Sequence, residues 1–182
     1  MNNLSLNRRR FLQAASSIAV AAASLSATSS VAGILTADNK MSALERQLLQ
    51  KMLNISLPTK GSTLVDPATL PVLDVLESAL LAGMAADIRA GLRGGIGYFN
   101  DSAKAEYGKP FVALSDTDAT RFVDAWTDGN TEPQRALAMG LKKLTVLAYW
   151  AIPNSWAPLG YDGPISDRAG LKSLGNTPEP RG

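Results

Sequence analysis

The chain has 182 residues, with 18 basic and 16 acidic side chains and neither cysteine nor histidine. The first absence excludes disulfides, thiolate metal sites, iron–sulfur clusters and c-type haem attachment. The second removes the commonest metal and haem ligand and the usual general base at neutral pH.

Residues 7–13 read Asn-Arg-Arg-Arg-Phe-Leu-Gln. Arg8 and Arg9, then one residue, then Phe11 and Leu12, form the address of the twin-arginine export machinery, which carries proteins already folded. No further charge occurs before Asp38, and the intervening stretch is mainly Ala and Ser. A positive start, a mildly apolar middle and a small-x-small end make residues 1–32 a signal peptide. Ala32 and Gly33 flank its best cleavage position, after Ser30-Val31-Ala32. An uncleaved membrane anchor is the competing reading, but an Ala/Ser composition drives insertion weakly beside a Leu/Ile/Val-rich span. Residues 1–32 hold three arginines and no acid, so 18 less three leaves 15 bases against 16 acids in the remainder. The chain's basic balance therefore belongs largely to the signal and is no argument for nucleic acid or anionic lipid as a partner; no nucleic-acid partner is expected.

The remaining length suits one domain with a real core. Residues 33–41 read as a flexible lead-in and residues 42–175 as the folded domain. Ser42 and Glu45 fit a capping box, and Leu44, Leu48, Leu49, Met52 and Leu53 recur at helical spacing, which predicts a first helix over about 42–54. Leu57-Pro58 ends it. Leu70, Leu73, Leu76, Leu80, Leu81, Met84 and Ile88 then form an apolar stripe that predicts one helix of about five turns. Gly91, Gly94, Gly95 and Gly97 follow, with Leu92, Ile96 and Phe99 keeping a helical rhythm, so the helix either continues or breaks there; a short helix to Tyr107 comes next. Ser115 caps another, with Asp116 and Asp118 in its first turn and Phe122, Val123 and Trp126 on its inner face. Pro133 opens a last long helix carrying Leu137, Met139, Leu141, Leu144, Val146, Leu147 and Trp150. Beyond Pro153 the chain reads as a long loop rich in aromatics and proline, with residues 176–182 as a disordered tail. Period-two alternation is absent, so the fold class is all-α, a small irregular helical bundle.

Three places invite a functional reading. The glycines at 91–97 resemble a phosphate cradle only loosely, because a helical pattern precedes them and the spacing is wrong; close helix packing or a kink is the better account. Asp116, Asp118 and Asp124 could serve acid–base chemistry only if one were buried, and a solvated face or cap explains them better. The segment from Tyr149 to Pro164 is different. Tyr149, Trp150, Trp156 and Tyr161 stand there among three prolines and two glycines, a composition typical of binding hot spots. Whether these rings form a lid on the core or a docking surface stays open, and the two are compatible.

The chain resembles the gluconate 2-dehydrogenase subunit 3 family. Arg8-Arg9-Arg10-Phe11-Leu12 match its signal, and residues 44–58 its opening helix. Gly108-Lys109-Pro110-Phe111-Val112-Ala113-Leu114-Ser115 resembles its central stretch. Trp156-Ala157-Pro158-Leu159-Gly160-Tyr161-Asp162-Gly163-Pro164, after Leu147-Ala148-Tyr149-Trp150, resembles its closing signature. The resemblance implies a non-catalytic accessory subunit without a cofactor of its own. Its partner would be a FAD-dependent large subunit of the glucose–methanol–choline type acting on a sugar, polyol or sugar acid, with a multihaem cytochrome c subunit as a further partner. The small subunit would carry that partner, folded, through the twin-arginine translocon to the periplasm. Inner-membrane association through partner subunits or an uncleaved signal stays open. Tyr149, Trp150, Trp156, Leu159, Gly160, Tyr161, Gly163 and Pro164 are then the expected docking residues. A stand-alone periplasmic helical binding or scaffold protein is the alternative.

Overall fold

Ser42 and Glu45 close the capping box expected of them. The Glu45 amide donates to Ser42 Oγ at 3.2 Å, and the Ser42 amide to Glu45 Oε2 at 2.7 Å. Helix α1, Ala43–Ser56, starts from this cap and buries Leu48, Leu49, Met52 and Leu53. The computed structural model describes residues 40–171, so the signal residues Arg8, Arg9, Phe11 and Leu12, the Ala32/Gly33 junction and the 176–182 tail lie outside the described residues. Among the described residues there are seven α-helices and no strand. The all-α bundle is therefore the fold.

The stripe from Leu70 to Ile88 is not one helix. A 3-10 turn, Pro67–Thr69, is capped by the Asp66 carboxylate, which accepts from the Ala68 amide at 2.9 Å. Helix α2, Val72–Val75, then widens directly into a π-helical stretch, Leu76–Leu81, where the Ala82 amide reaches five residues back to the Glu77 carbonyl at 3.0 Å. The wider turn holds one more residue than an α-turn. Leu81 thereby joins Leu76 in the core and Leu80 moves to its margin. A turn containing the exposed Gly83 follows, and the helix restarts as α3, Ala86–Ser102.

Helix α3 runs unbroken through the glycine cluster. A Cβ built on Gly94 or Gly97 meets nothing within 4 Å. These two glycines therefore serve neither close helix packing nor a kink, contrary to the expectation. Helix α4, Lys104–Tyr107, is one turn long. Helix α5, Asp116–Thr127, is capped by Ser115 Oγ, which accepts from the Asp118 amide at 3.1 Å. Helix α6, Glu132–Trp150, buries Leu137, Leu141 and Leu144, whereas Met139 and Leu147 are exposed. The chain beyond it folds into two 3-10 turns, Pro153–Ser155 and Ala157–Leu159, and a final turn α7, Ile165–Arg168.

Helix α1 packs against α6, α3 and α5, and α6 also packs against α5 and α2. Phe99 of α3 sits at the centre of an aromatic cluster, with ring centroids 4.9 Å from Phe111, 5.1 Å from Phe122 and 4.8 Å from Trp126, all edge to face. Such edge-on pairs add to what area burial alone contributes. Asn100 Oδ1 accepts from the Val112 amide at 3.2 Å and fixes the short loop that inserts Phe111. From α1, Lys51 Nζ donates to the Leu114 carbonyl at 2.6 Å and pairs with Asp116 at 3.3 Å, tying α1 to the start of α5.

Candidate docking surface

The aromatic segment divides cleanly into residues that hold it together and residues that face water. Tyr149, the next-to-last residue of α6, is fully buried. Its hydroxyl donates to the Val65 carbonyl at 2.7 Å and so holds the loop between α1 and α2 against the bundle. Burial, with the Asp66 charge nearby, raises the pKa of the phenol above its ordinary value. Trp150 is half-buried and meets the Tyr149 ring edge to face at 4.8 Å. Its carbonyl is one of the orphan acceptors that every helix C-terminus leaves. Trp156 supplies the partner, with Nε1–H donating to it at 2.7 Å.

Trp156 organises the rest. Tyr161 stacks edge to face on it, centroids 5.3 Å apart. Gly163 is buried under the indole at φ +98°, and a Cβ there would lie 3.4 Å from Cζ3. Gly160 closes the second 3-10 turn at φ +63°, in the left-handed region that L side chains avoid. Pro164 starts α7. Buried Ser155 closes the first turn by donating its Oγ–H to the Ile152 carbonyl at 2.8 Å. The segment is thus a small knot with the Trp156 indole at its centre.

Large apolar side chains stand exposed in and beside it. Leu147 is 41% exposed, Leu159 55%, Tyr161 49% and Ile165 80%. Of the seven large hydrophobic side chains exposed among the described residues, five lie from Leu147 onward, so they are concentrated at this end of the chain. Concentrations of that kind mark interaction surfaces. Of the eight expected docking residues, Tyr149 and Gly163 are buried, and Trp150, Trp156 and Pro164 are half-buried. Leu159, Gly160 and Tyr161 are exposed to solvent.

The carboxylates of α5 are cap and surface groups. Ser115 Oγ–H donates to Asp118 at 2.8 Å, and Asp116 pairs with Lys51. Among the described residues, no three Asp or Glu side chains gather as metal ligands. The buried carboxylate is instead Glu45, which sequence reasoning read only as a helix cap. It pairs with the fully buried Arg89 of α3. Burial pushes this carboxyl's pKa up, but the hydrogen bonds from Arg89 and from the Ser42 amide, with the Arg89 charge, outweigh it and hold the group below its ordinary value. A signal for this pair was present in the pattern. Arg89 stands three residues before Leu92 and seven before Ile96, in a slot of the apolar face that a leucine would normally occupy.

Fold and surface together define a small all-α domain with a buried ion pair and an aromatic knot that exposes several large apolar side chains. The chain belongs to the gluconate 2-dehydrogenase subunit 3 family, whose description residues 43–163 match, well over half its length. The match runs from the first residue of α1 to the glycine packed under Trp156. No curated protein and no solved structure matches. The family is a small subunit of a dehydrogenase complex, so association with such a complex is the coarse function.

Proposed function

We propose that this chain is the non-catalytic small subunit that binds the FAD-bearing, glucose–methanol–choline type catalytic subunit of a sugar, polyol or sugar-acid dehydrogenase. In this reading it escorts that subunit, already folded, through the twin-arginine pathway to the periplasm. A multihaem cytochrome c subunit takes the electrons there. The observation that carries the reading is the outer side of the aromatic knot. Leu159 and Tyr161 lie within the stretch matched to the family, yet about half of each side chain faces water, and that apolar area contributes nothing to this chain's own core. A partner surface gives them a role. Arg8, Arg9, Phe11 and Leu12 supply the export address.

The test is co-expression with the flavoprotein expected to be encoded beside this chain, followed by capture on the small subunit. Flavin absorbance is expected to co-purify. With Arg8→Lys and Arg9→Lys together, both polypeptides are expected to stay in the cytoplasm. Recovery of the small subunit alone beside well-folded flavoprotein would defeat the binding role. A flavoprotein that still reaches the periplasm with the double variant would defeat the escort role.

A further inference from the structure

The backbone entering α1 is gripped by charged side chains at three consecutive positions. The Lys40 carbonyl accepts from Arg89 Nη2 at 3.2 Å and from Arg93 Nη2 at 3.1 Å. The Met41 amide donates to Glu77 Oε2 at 3.1 Å, and the Ser42 amide to Glu45 Oε2 at 2.7 Å. The gripping groups come from α3, from the π-helical stretch and from α1, and they brace one another. Arg89 pairs with Glu45, Arg93 Nε lies 3.8 Å from Glu45, and Arg46 reaches both Asp74 at 3.1 Å and Glu77 at 3.6 Å. The π-turn that displaced Leu80 also leads in with Leu76 and Glu77, so the irregular helix and the grip share a cause.

Both polar ends of one peptide unit, Lys40–Met41, are therefore occupied, its carbonyl by two guanidinium groups and its N–H by a carboxylate. Charge-assisted hydrogen bonds of this kind are about twice as strong as neutral ones. A protease must take that same carbonyl and amide into its own site, with the flanking backbone extended and free. We propose that Glu45, Glu77, Arg89 and Arg93 form a clasp on the base of the N-terminal segment. It closes only when α1, α2 and α3 have packed together, and it sets the innermost limit to which the segment ahead of the domain can be trimmed. The clasp needs no partner subunit, so it stands or falls separately from the docking reading.

Lys40 makes the test direct, because trypsin cleaves after lysine. Cleavage of the Lys40–Met41 bond in the full chain is compared with the same bond in a synthetic peptide covering residues 35–46. The folded chain is expected to be cut about 100-fold more slowly or less, as for a bond that opens only by local unfolding. Glu77→Gln combined with Arg93→Met should raise the rate by about tenfold or more, with hydrogen exchange of the buried α1 amides unchanged. Equal rates for chain and peptide overturn the proposal, and so does a double variant that cuts as slowly as the parent. If the double variant also loses protection in α1, Arg93→Met alone is read by the same two criteria.

Discussion

The indole N–H of Trp156 donates to the carbonyl of Trp150 at 2.7 Å, so the residue that organises the C-terminal knot is also the cap on the last turn of α6. Replacing it by phenylalanine keeps a ring for Tyr161 to stack on but leaves the carbonyl without its donor. Trp156→Phe should destabilise the domain by about 1 kcal/mol. Gly163→Ala should cost about 1–3 kcal/mol, since alanine must adopt φ +98° with its methyl against the indole. Urea unfolding followed by circular dichroism measures both. A Trp156→Phe midpoint equal to that of the parent would show that the capping bond contributes nothing.

Leu147 and Leu159 separate docking from folding, because about half of each side chain lies in water. Leu147→Ser and Leu159→Ser should change the unfolding free energy by no more than about 0.5 kcal/mol. Each should weaken association with the flavoprotein by about 1–2 kcal/mol, read by titration calorimetry. Affinity unaltered in both variants would move the interface elsewhere on the domain.

Glu45 gives the domain an acid limit. Its folded pKa is depressed, so its contribution to stability is fully present above the ordinary carboxylate value and fades as pH falls below that value toward the folded one. Arg89 and Arg93 are the cations facing it. Glu45→Ala should cost about 3–5 kcal/mol at neutral pH, because it strands the buried Arg89 charge. Adding Arg89→Met should recover part of that loss. Melting temperatures of the parent, Glu45→Ala and the double variant against pH check this, and a double variant no more stable than Glu45→Ala would contradict it.

Gly94 and Gly97 sit on an open side of α3 with nothing near their missing side chains. Gly94→Ala and Gly97→Ala should each stabilise the domain by about 0.5–1 kcal/mol, by lowering the entropy of the unfolded chain. Denaturant midpoints shifted upward in both variants are the expected result. A downward shift would mean that the helix is not regular there.

Much of this was legible residue by residue. The Ser42/Glu45 box, the Ser115 cap and the apolar rhythm of α1, α5 and α6 depend on neighbours three or four positions apart, and such rules act within a single helix. The stripe from Leu70 to Ile88 misled because two leucines in succession, Leu80 and Leu81, compete for one inward slot. Only the packing of the finished bundle decides which wins, and the winner required a wider turn. Gly94 and Gly97 misled for a related reason, since a glycine pattern is the same whether its open side meets another helix or water.

The sequence by itself determined the helical class, the absence of thiol and imidazole chemistry and the composition of the aromatic segment, all of which are properties of residue types and short spacings. Only the tertiary structure decided which aromatics turn inward, and that Arg89 and Glu45, 44 residues apart, meet in the core. It also decided that the entry to α1 is held at three successive backbone groups. Those outcomes depend on desolvation and on charges brought together from three separate helical segments, energies that exist only once the chain has closed on itself.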